Sequence, residues 1–438
     1  MVKKLNSLLA ILLAFFLVMT GVNNSHAVGE EVFDDFDGVI GTMIVANAET
    51  GEVYYEKNSD DLVGIASMSK LMTYLIVKDE ISEGKYKLTD PVTITFDSAK
   101  HAVPGNAKMD LTVGEVISVE DLLKGLMIVS GNDAAAALAI NSAGSEDEFA
   151  KKMNAKAEEL GLQSYEFVNA SGLTDEIVKK ADGTIIEKAN DEEADTARDA
   201  AAQSTDTIIS QKYNKMSARS LMMLTKQIVT KYPEVLEYHN MEQLVMPERD
   251  FVGNQTHNMY KSIPGLMGLK TGFTEEAKFN FTGYVDMNGH EKGQKFKLIT
   301  VVTGADNYGI REKCTKELIN YVSKNYFYGD VTGYYDKNPV TYYQSGQTKQ
   351  TRFPLFLEKP IEGIFPRGAK VEMNYEIEKG IKAPYNEGQV LGKATFWYDG
   401  KELGKVNLIN KSQLEKMNFG QTFIESAKDF VKKLMLII

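Results

Sequence analysis

Two stretches rich in β-forming residues stand at opposite ends of a long helical middle, and that arrangement limits the folds open to the chain. Gly41–Ala48 and Glu52–Glu56 join through Glu49-Thr50-Gly51 and read as a hairpin. Far downstream, after Lys270, Phe279–Val285 and Phe296–Thr303 again read as strands. Between them Met68, Leu71, Met72, Leu75 and Ile76 recur at three- and four-residue intervals. They predict the buried face of a helix that begins near Ser67 and stops before Gly84. Helical patterns also cover Val119–Val129, Ala134–Asn141 and Glu146–Leu160, the last opened by Ser145 with Glu148 three residues on, a capping box. A further helix is expected over about Tyr308–Tyr326. Strands at both ends of a helical segment predict one sheet assembled from distant sequence, an α+β domain.

With 438 residues, 43 % of them apolar, the chain is long enough for a second domain. From about Thr351 to Asn410 the text is all-β: Val371, Met373, Tyr375 and Ile377 alternate, and Asp399-Gly400 offers a tight hairpin turn. Asp175 to about Tyr213 is rich in Asp, Glu, Ala, Lys and Thr with few large apolar residues, and is expected to be an exposed, mobile insertion. The chain opens with Lys3 and Lys4, an apolar run from Leu8 to Met19 and the small residues Ser25 and Ala27 around His26. That is the pattern of a secretory signal peptide, and the run is shorter than a bilayer of about 30 Å requires of a spanning helix. The last stretch sets Phe419, Phe423, Ala427, Phe430, Val431, Leu434, Met435 and Ile438 on one side of a helix, with Lys416, Lys428, Lys432 and Lys433 among the polar positions. Such a helix either lies in a membrane interface or packs on the β domain, since amphipathicity alone does not separate the two. The expected organisation is a signal peptide over 1–27, a first domain over 28–345, the all-β domain over 346–410 and the amphipathic helix over 411–438.

The net charge of −12 argues against a nucleic-acid partner, because neutralising phosphates needs a basic surface. The five histidines, at 26, 101, 239, 257 and 290, form no pair at metal-ligand spacing, and no cofactor is implied. Cys314 is the only cysteine, so no disulfide forms within the chain and the fold rests on its core. It shares a helical face with Ile310, Leu318 and Tyr321 and reads as a buried side chain.

Ser67-Met68-Ser69-Lys70 opens the first buried helix, and its spacing stacks the Lys70 amine over the Ser67 hydroxyl one turn away. A serine nucleophile needs a base, and a lysine shut into an apolar site loses proton affinity because desolvation disfavours its charged form. The pair alone is a common accident of sequence. Here it is followed by Ser130-Gly131-Asn132 between two helical segments and by Lys270-Thr271-Gly272 leading into a strand.

The three motifs, in that order, resemble those of penicillin-binding proteins and serine β-lactamases, and the S-G-N form of the second points to the D-alanyl-D-alanine carboxypeptidase branch. The resemblance extends over Glu49–Val53, Ala66–Thr73, Ser130–Ala135, Met153–Ala157 and Gly268–Thr274, and into the β domain through Ala383–Gly388 and Val390–Gly392. It implies a penicillin-binding, β-lactamase-like transpeptidase domain, an antiparallel sheet with a helical subdomain, and a terminal helix that acts as membrane anchor. It also implies that Ser67 attacks the carbonyl between two D-alanines of a peptidoglycan stem peptide while Lys70 takes its proton, forming an acyl-enzyme that β-lactam antibiotics mimic. Ser130 would relay the proton to the leaving D-alanine, Asn132 would bind the substrate amide, and Lys270 would hold Ser130 by its charge. The Ser67 and Phe273 N–H groups would form the oxyanion hole, at a Thr271-Gly272-Phe273 edge. Thr271, Thr274 and Arg311 are candidates for the substrate carboxylate, a surface ion pair being the other reading of Arg311. The protein would work outside the cell, on the outer face of the cytoplasmic membrane or in the wall.

Two departures from the family pattern are the acidic insertion after Asn169–Leu173 and Ala277-Lys278-Phe279 where a glycine is commoner. A serine β-lactamase is the nearest rival, yet Glu166-Phe167-Val168-Asn169-Ala170 does not complete the E-x-x-L-N of its class A. A transpeptidase or endopeptidase on the same peptides is a second rival. A non-catalytic peptidoglycan-binding scaffold is a third, against which stand the intact Ser67, Lys70, Ser130, Asn132 and Lys270.

Overall fold

The structure, a computed structural model, describes residues 30–179, 185–189, 207–256, 258–343, 352–378 and 382–435. The predicted signal peptide lies outside them. Five strands form the main sheet: β1 (Thr42–Asn47), β2 (Val53–Lys57), β3 (Leu266–Thr274), β4 (Lys278–Asp286) and β5 (Lys297–Ala305), in the order β3-β4-β5-β1-β2. All neighbours are antiparallel, so the two distant β-rich stretches do join in one sheet through β1 and β5. Every residue of β1 is buried. Ile44 and Ala46 point into one core and Met43 and Val45 into another, as the period of two requires of a strand covered on both faces.

The first core is built from α1 (Lys70–Ser82), α2 (Asn132–Ala143), α3 (Glu146–Glu159) and α4 (Ala218–Lys231). The second lies under α5 (Tyr308–Asn325) and the N-terminal turn that carries Phe33 and Phe36. Buried Cys314 sits there as expected, its thiol pushed up to about 12 by desolvation. At the start of α3, Ser145 accepts a hydrogen bond from the Glu148 amide at 3.2 Å, while the Glu148 carboxylate pairs with Lys151. Half of the expected capping box is therefore made, the glutamate being drawn to a cation one turn on. The expected helix Val119–Val129 is α-helical only to Lys124 and continues as one wide π turn, Gly125–Val129. Met109 lies against Gly125, where a Cβ would stand 1.8 Å from its sulfur.

The acidic insertion differs from expectation. It carries a three-stranded antiparallel sheet with Asp175–Lys179 between Ile185–Ala189 and Thr207–Lys212. The β-branched residues Ile177, Val178, Ile185, Ile186, Ile208 and Ile209, scattered in the sequence, gather in these strands. Residues 180–184 and 190–206 lie outside the described set.

The second sheet is made of β6 (Val340–Tyr343), β7 (Arg352–Leu357), β8 (Glu372–Ile377), β9 (Val390–Tyr398) and β10 (Lys401–Ile409), in the order β6-β7-β10-β9-β8. It thus begins ahead of residue 346. Asp399 and Gly400, at φ of 48° and 73°, close the β9–β10 hairpin, two positive-φ positions that Asp and Gly tolerate. The last helix, α6 (Phe419–Met435), leaves Phe419, Phe423, Ile424, Phe430 and Val431 exposed, so it does not bury its apolar side on the β domain. No helix among the described residues is long and apolar enough to cross a membrane.

Candidate active site

Ser67 sits in a tight turn, Ala66–Ser69, that runs straight into α1, making Lys70 the first residue of that helix. The Lys70 amine has no solvent exposure and donates to the Ser67 hydroxyl (2.9 Å), the Asn132 side-chain oxygen (2.7 Å) and the Ser171 carbonyl (2.7 Å). Desolvation, and then the charge of Lys270, hold its pKa well below that of an ordinary lysine, with Asp133 opposing. No carboxylate touches the amine in these bonds. In the neutral form its two hydrogens serve Asn132 and Ser171, and the lone pair replaces the bond donated to Ser67 and faces that hydroxyl.

Ser130 ends the π turn in a left-handed conformation, φ 62°, a strained choice for a residue with a side chain. Asn132 then heads α2. Lys270 lies in the middle of β3, fully buried, and donates to the Ser130 hydroxyl at 2.9 Å. Burial, reinforced by the nearby charge of Arg311, lowers its pKa to about 7. Three motifs far apart in sequence thus meet through two lysine amines.

The backbone of β3 passes directly over the serine turn. A Cβ at Gly272 would stand 2.5 Å from the Ile65 carbonyl and 3.2 Å from the Ser67 amide nitrogen, so only glycine admits this approach. Gly172 plays the same part on the other side: at φ +83°, a Cβ would meet the Ala66 carbonyl at 2.0 Å. The cleft above, about 430 Å³, is lined by Ser67, Ser130, Asn132, Thr271, Gly272, Phe273, Thr274 and Arg311 among others. Every site residue anticipated from sequence lines it except the two lysines, which are fully buried.

Arg311, in the first turn of α5, is 7 % exposed and bonds the Asn280 carbonyl at 3.4 Å, leaving its Nε buried without a partner. It is therefore no surface ion pair. The Thr271 hydroxyl reaches that of Thr256 at 3.4 Å, and the Thr274 hydroxyl accepts from the Ala277 amide at 3.1 Å, closing the β3–β4 turn. Phe273 is half-exposed and packs at a tilt against Phe279 with ring centres 4.4 Å apart.

Several contributors were not singled out from sequence. Asp133 accepts from the Met109, Leu111 and Ala134 amides, fastening the loop before α2, whose Asn106 and Ala107 line the cleft. Burial raises its pKa. Its adjacency to Asn132 was a usable signal. Asn169 accepts from Gly172 N at 2.7 Å and thereby shapes the loop that presents the Ser171 carbonyl to Lys70. Thr256 had no signal at all, since its place depends on the hairpin of Gln243–Met246 and Phe251–Asn254 folding beside the π turn.

A half-buried serine, bonded by a buried lysine at the mouth of a cleft between a sheet edge and a helical subdomain, defines a serine hydrolase. The profile of the D-alanyl-D-alanine carboxypeptidase family matches residues 37–307, and that of the penicillin-binding protein 5 C-terminal domain matches residues 328–416. The chain belongs to the D-alanyl-D-alanine carboxypeptidase family. It is 29 % identical over 383 residues to D-alanyl-D-alanine carboxypeptidase DacF of Bacillus subtilis, covering 86 % of each chain. Penicillin-binding protein 5 from Haemophilus influenzae shares the fold, with a TM-score of 0.57 at 23 % identity over 86 % of this chain and 98 % of that one. Penicillin-binding protein D2 from Listeria monocytogenes, solved in its cefotaxime-bound form, matches at 27 % identity and a TM-score of 0.50, over 65 % of this chain and 96 % of its own.

Proposed function

We propose that Ser67 is the nucleophile with which this serine-type carboxypeptidase removes the terminal D-alanine from peptidoglycan stem peptides. The observation that carries the reading is the fully buried Lys70 amine, 2.9 Å from the Ser67 hydroxyl and with its pKa depressed. Neutral Lys70 takes the hydroxyl proton as Oγ bonds to the carbonyl carbon of the penultimate D-alanine. The electron pair displaced onto the carbonyl oxygen is received by the Ser67 and Phe273 N–H groups. When the C–N bond breaks, the Ser130 hydroxyl hands its proton to the departing amine and takes up the one Lys70 received from Ser67, which returns Lys70 to its neutral form, while Lys270 keeps that hydroxyl in place. The Asn132 side-chain oxygen is committed to Lys70, which turns its NH₂ toward the substrate amide. Arg311, with Thr271 and Thr274, all lining the cleft, receives the carboxylate of the leaving residue. Water then cleaves the ester with Lys70 again as base.

A β-lactam carbonyl would acylate the same oxygen, in keeping with the cefotaxime-bound Listeria protein. Stem pentapeptide ending in D-Ala-D-Ala, with products weighed by mass spectrometry, tests the activity, and peptide mapping after benzylpenicillin tests the nucleophile. Loss of one alanine and a label on Ser67 are expected; a label on another serine overturns the assignment. The protein acts on the cell wall. We place it outside the membrane after export by residues 1–27, with α6 lying in the outer leaflet, an arrangement supported by the exposed phenylalanines of that helix.

A further inference from the structure

The insertion departs from the chain at Asp175, directly after the cleft wall, and returns beside the β3–β4 turn, so both of its ends border the site. On the outgoing side, Asn169 donates to the Leu173 carbonyl at 2.9 Å and to the Asp175 carboxylate at 3.3 Å, while Leu173 itself lines the cleft. On the returning side, a Cβ at Gly64 would stand 3.0 Å from the Ala277 Cβ and 3.1 Å from the Tyr213 ring, a packing without spare room. One side chain joins the two. Glu276, in the turn just beyond Thr274, accepts from the buried Thr174 hydroxyl at 2.8 Å through one oxygen and from the Gln211 side-chain amide at 3.1 Å through the other.

We propose that Glu276 is a positioning residue that fastens the insertion sheet to the end of β3 as an outer wall of the cleft, and that this wall selects the acyl side of the peptide substrate. The inference rests on the functional reading above. If the leaving D-alanine points to Arg311 and Thr271, the rest of the stem peptide leaves the scissile carbonyl in the other direction, past Phe273 and the outer end of β3 towards Glu276. A β-lactam is too short to need that wall. A peptide several residues long is not. The bonds of Glu276 are made by a hydroxyl and an amide to a carboxylate, so removing them releases two charge-assisted contacts at once.

The experiment compares Glu276→Ala and Glu276→Gln with the full-length protein, using a stem pentapeptide, a short N-acylated D-Ala-D-Ala dipeptide and benzylpenicillin. For Glu276→Ala, kcat/KM on the pentapeptide should fall about tenfold, the loss lying in KM, with dipeptide turnover and penicillin acylation within about twofold of wild type. Glu276→Gln, which keeps an acceptor for Thr174, should recover most of the pentapeptide KM. Amide exchange in 207–212 should quicken in Glu276→Ala, a readout that needs no activity. Equal losses on all three substrates, or no change on any, would overturn the proposal while leaving the functional reading intact. A wild-type protein that neither releases D-alanine nor takes up penicillin overturns both.

Discussion

The cleft and the C-terminal helix depart from ordinary burial in opposite senses. At the cleft, Lys70 and Lys270 have no solvent exposure, although an ammonium group is among the most costly groups to bury. On α6, Phe419, Phe423 and Phe430 are 90 %, 69 % and 67 % exposed, although burial of each would stabilise the fold. Neither arrangement serves stability. The first gives up solvation and lowers the proton affinity of two lysines, and the second leaves large apolar side chains outside any core of the described residues. Between them the β domain is ordinary, with Phe353, Leu355, Phe396 and Leu408 packed in a small core of its own.

The largest expected effect tests the cleft. Lys70→Arg retains a cation but cannot release its proton near neutrality, so penicillin acylation should drop by about 10²–10⁴-fold, as measured by stopped-flow quenching or gel labelling. A variant keeping more than about a tenth of the wild-type rate would show that another group is the base. At the other end, truncation after Asn410, or serine at Phe419, Phe423 and Phe430 together, should weaken sedimentation with anionic vesicles by at least about a hundredfold, given roughly 1.5–3 kcal/mol for each large side chain fully buried. Turnover of a soluble peptide should be unchanged, because the serine and its partners lie in the other domain. Undiminished vesicle binding would transfer the anchoring role elsewhere.

A smaller effect concerns the cost of burying a lysine. The folded pKa of Lys270, about 7, lies below its value in the unfolded chain, so between those pH values the unfolded state binds the extra proton. Stability therefore rises with pH through that window. Urea unfolding at pH 7 and pH 9 should show about 2 kcal/mol of gain in the wild type that is missing in Lys270→Met. Equal slopes in the two proteins would mean that Lys270 is solvated in the fold. The smallest effect is on the same group in catalysis. As Lys270 loses its charge above about pH 7, kcat/KM for a carboxylate-ended peptide should decline, by at most about tenfold per unit. A profile flat to pH 9 would show that the charge of Lys270 is not needed to hold Ser130 in place.

What could be read from the residues follows the range of the interactions. Local patterns, such as the apolar repeat of Met68 to Ile76 and the Asp399-Gly400 turn, report structure directly and match α1 and the β9–β10 hairpin. The residues that meet at the cleft were legible because three short motifs carry their chemistry in their own residue types. The Ser171 carbonyl, Thr256 and Glu276 were not, since each acts through a partner distant in the chain and nothing in its neighbours marks it. The insertion misled because its composition is that of a solvated segment, whereas a few β-branched residues suffice for a strand once two others lie alongside. On α6, the periodicity was plain and its environment was not. Only the folded arrangement shows that the apolar side has no partner within the described residues.

The pairing of β1 with β5 carries a consequence for how the chain comes to be. Thr42 and Thr303 share a hydrogen bond between hydroxyls at 2.7 Å across a separation of 261 residues, and β1 sits inside the sheet rather than at its rim. An early-made strand must therefore wait for a late-made one. Closing so long a loop is slow, and until it closes neither core has both of its walls. A nascent polypeptide of this design cannot complete its main sheet until most of it has been made. The lock snaps only once residue 305 has emerged, so the timing of folding is written into strand order as firmly as the catalytic geometry is.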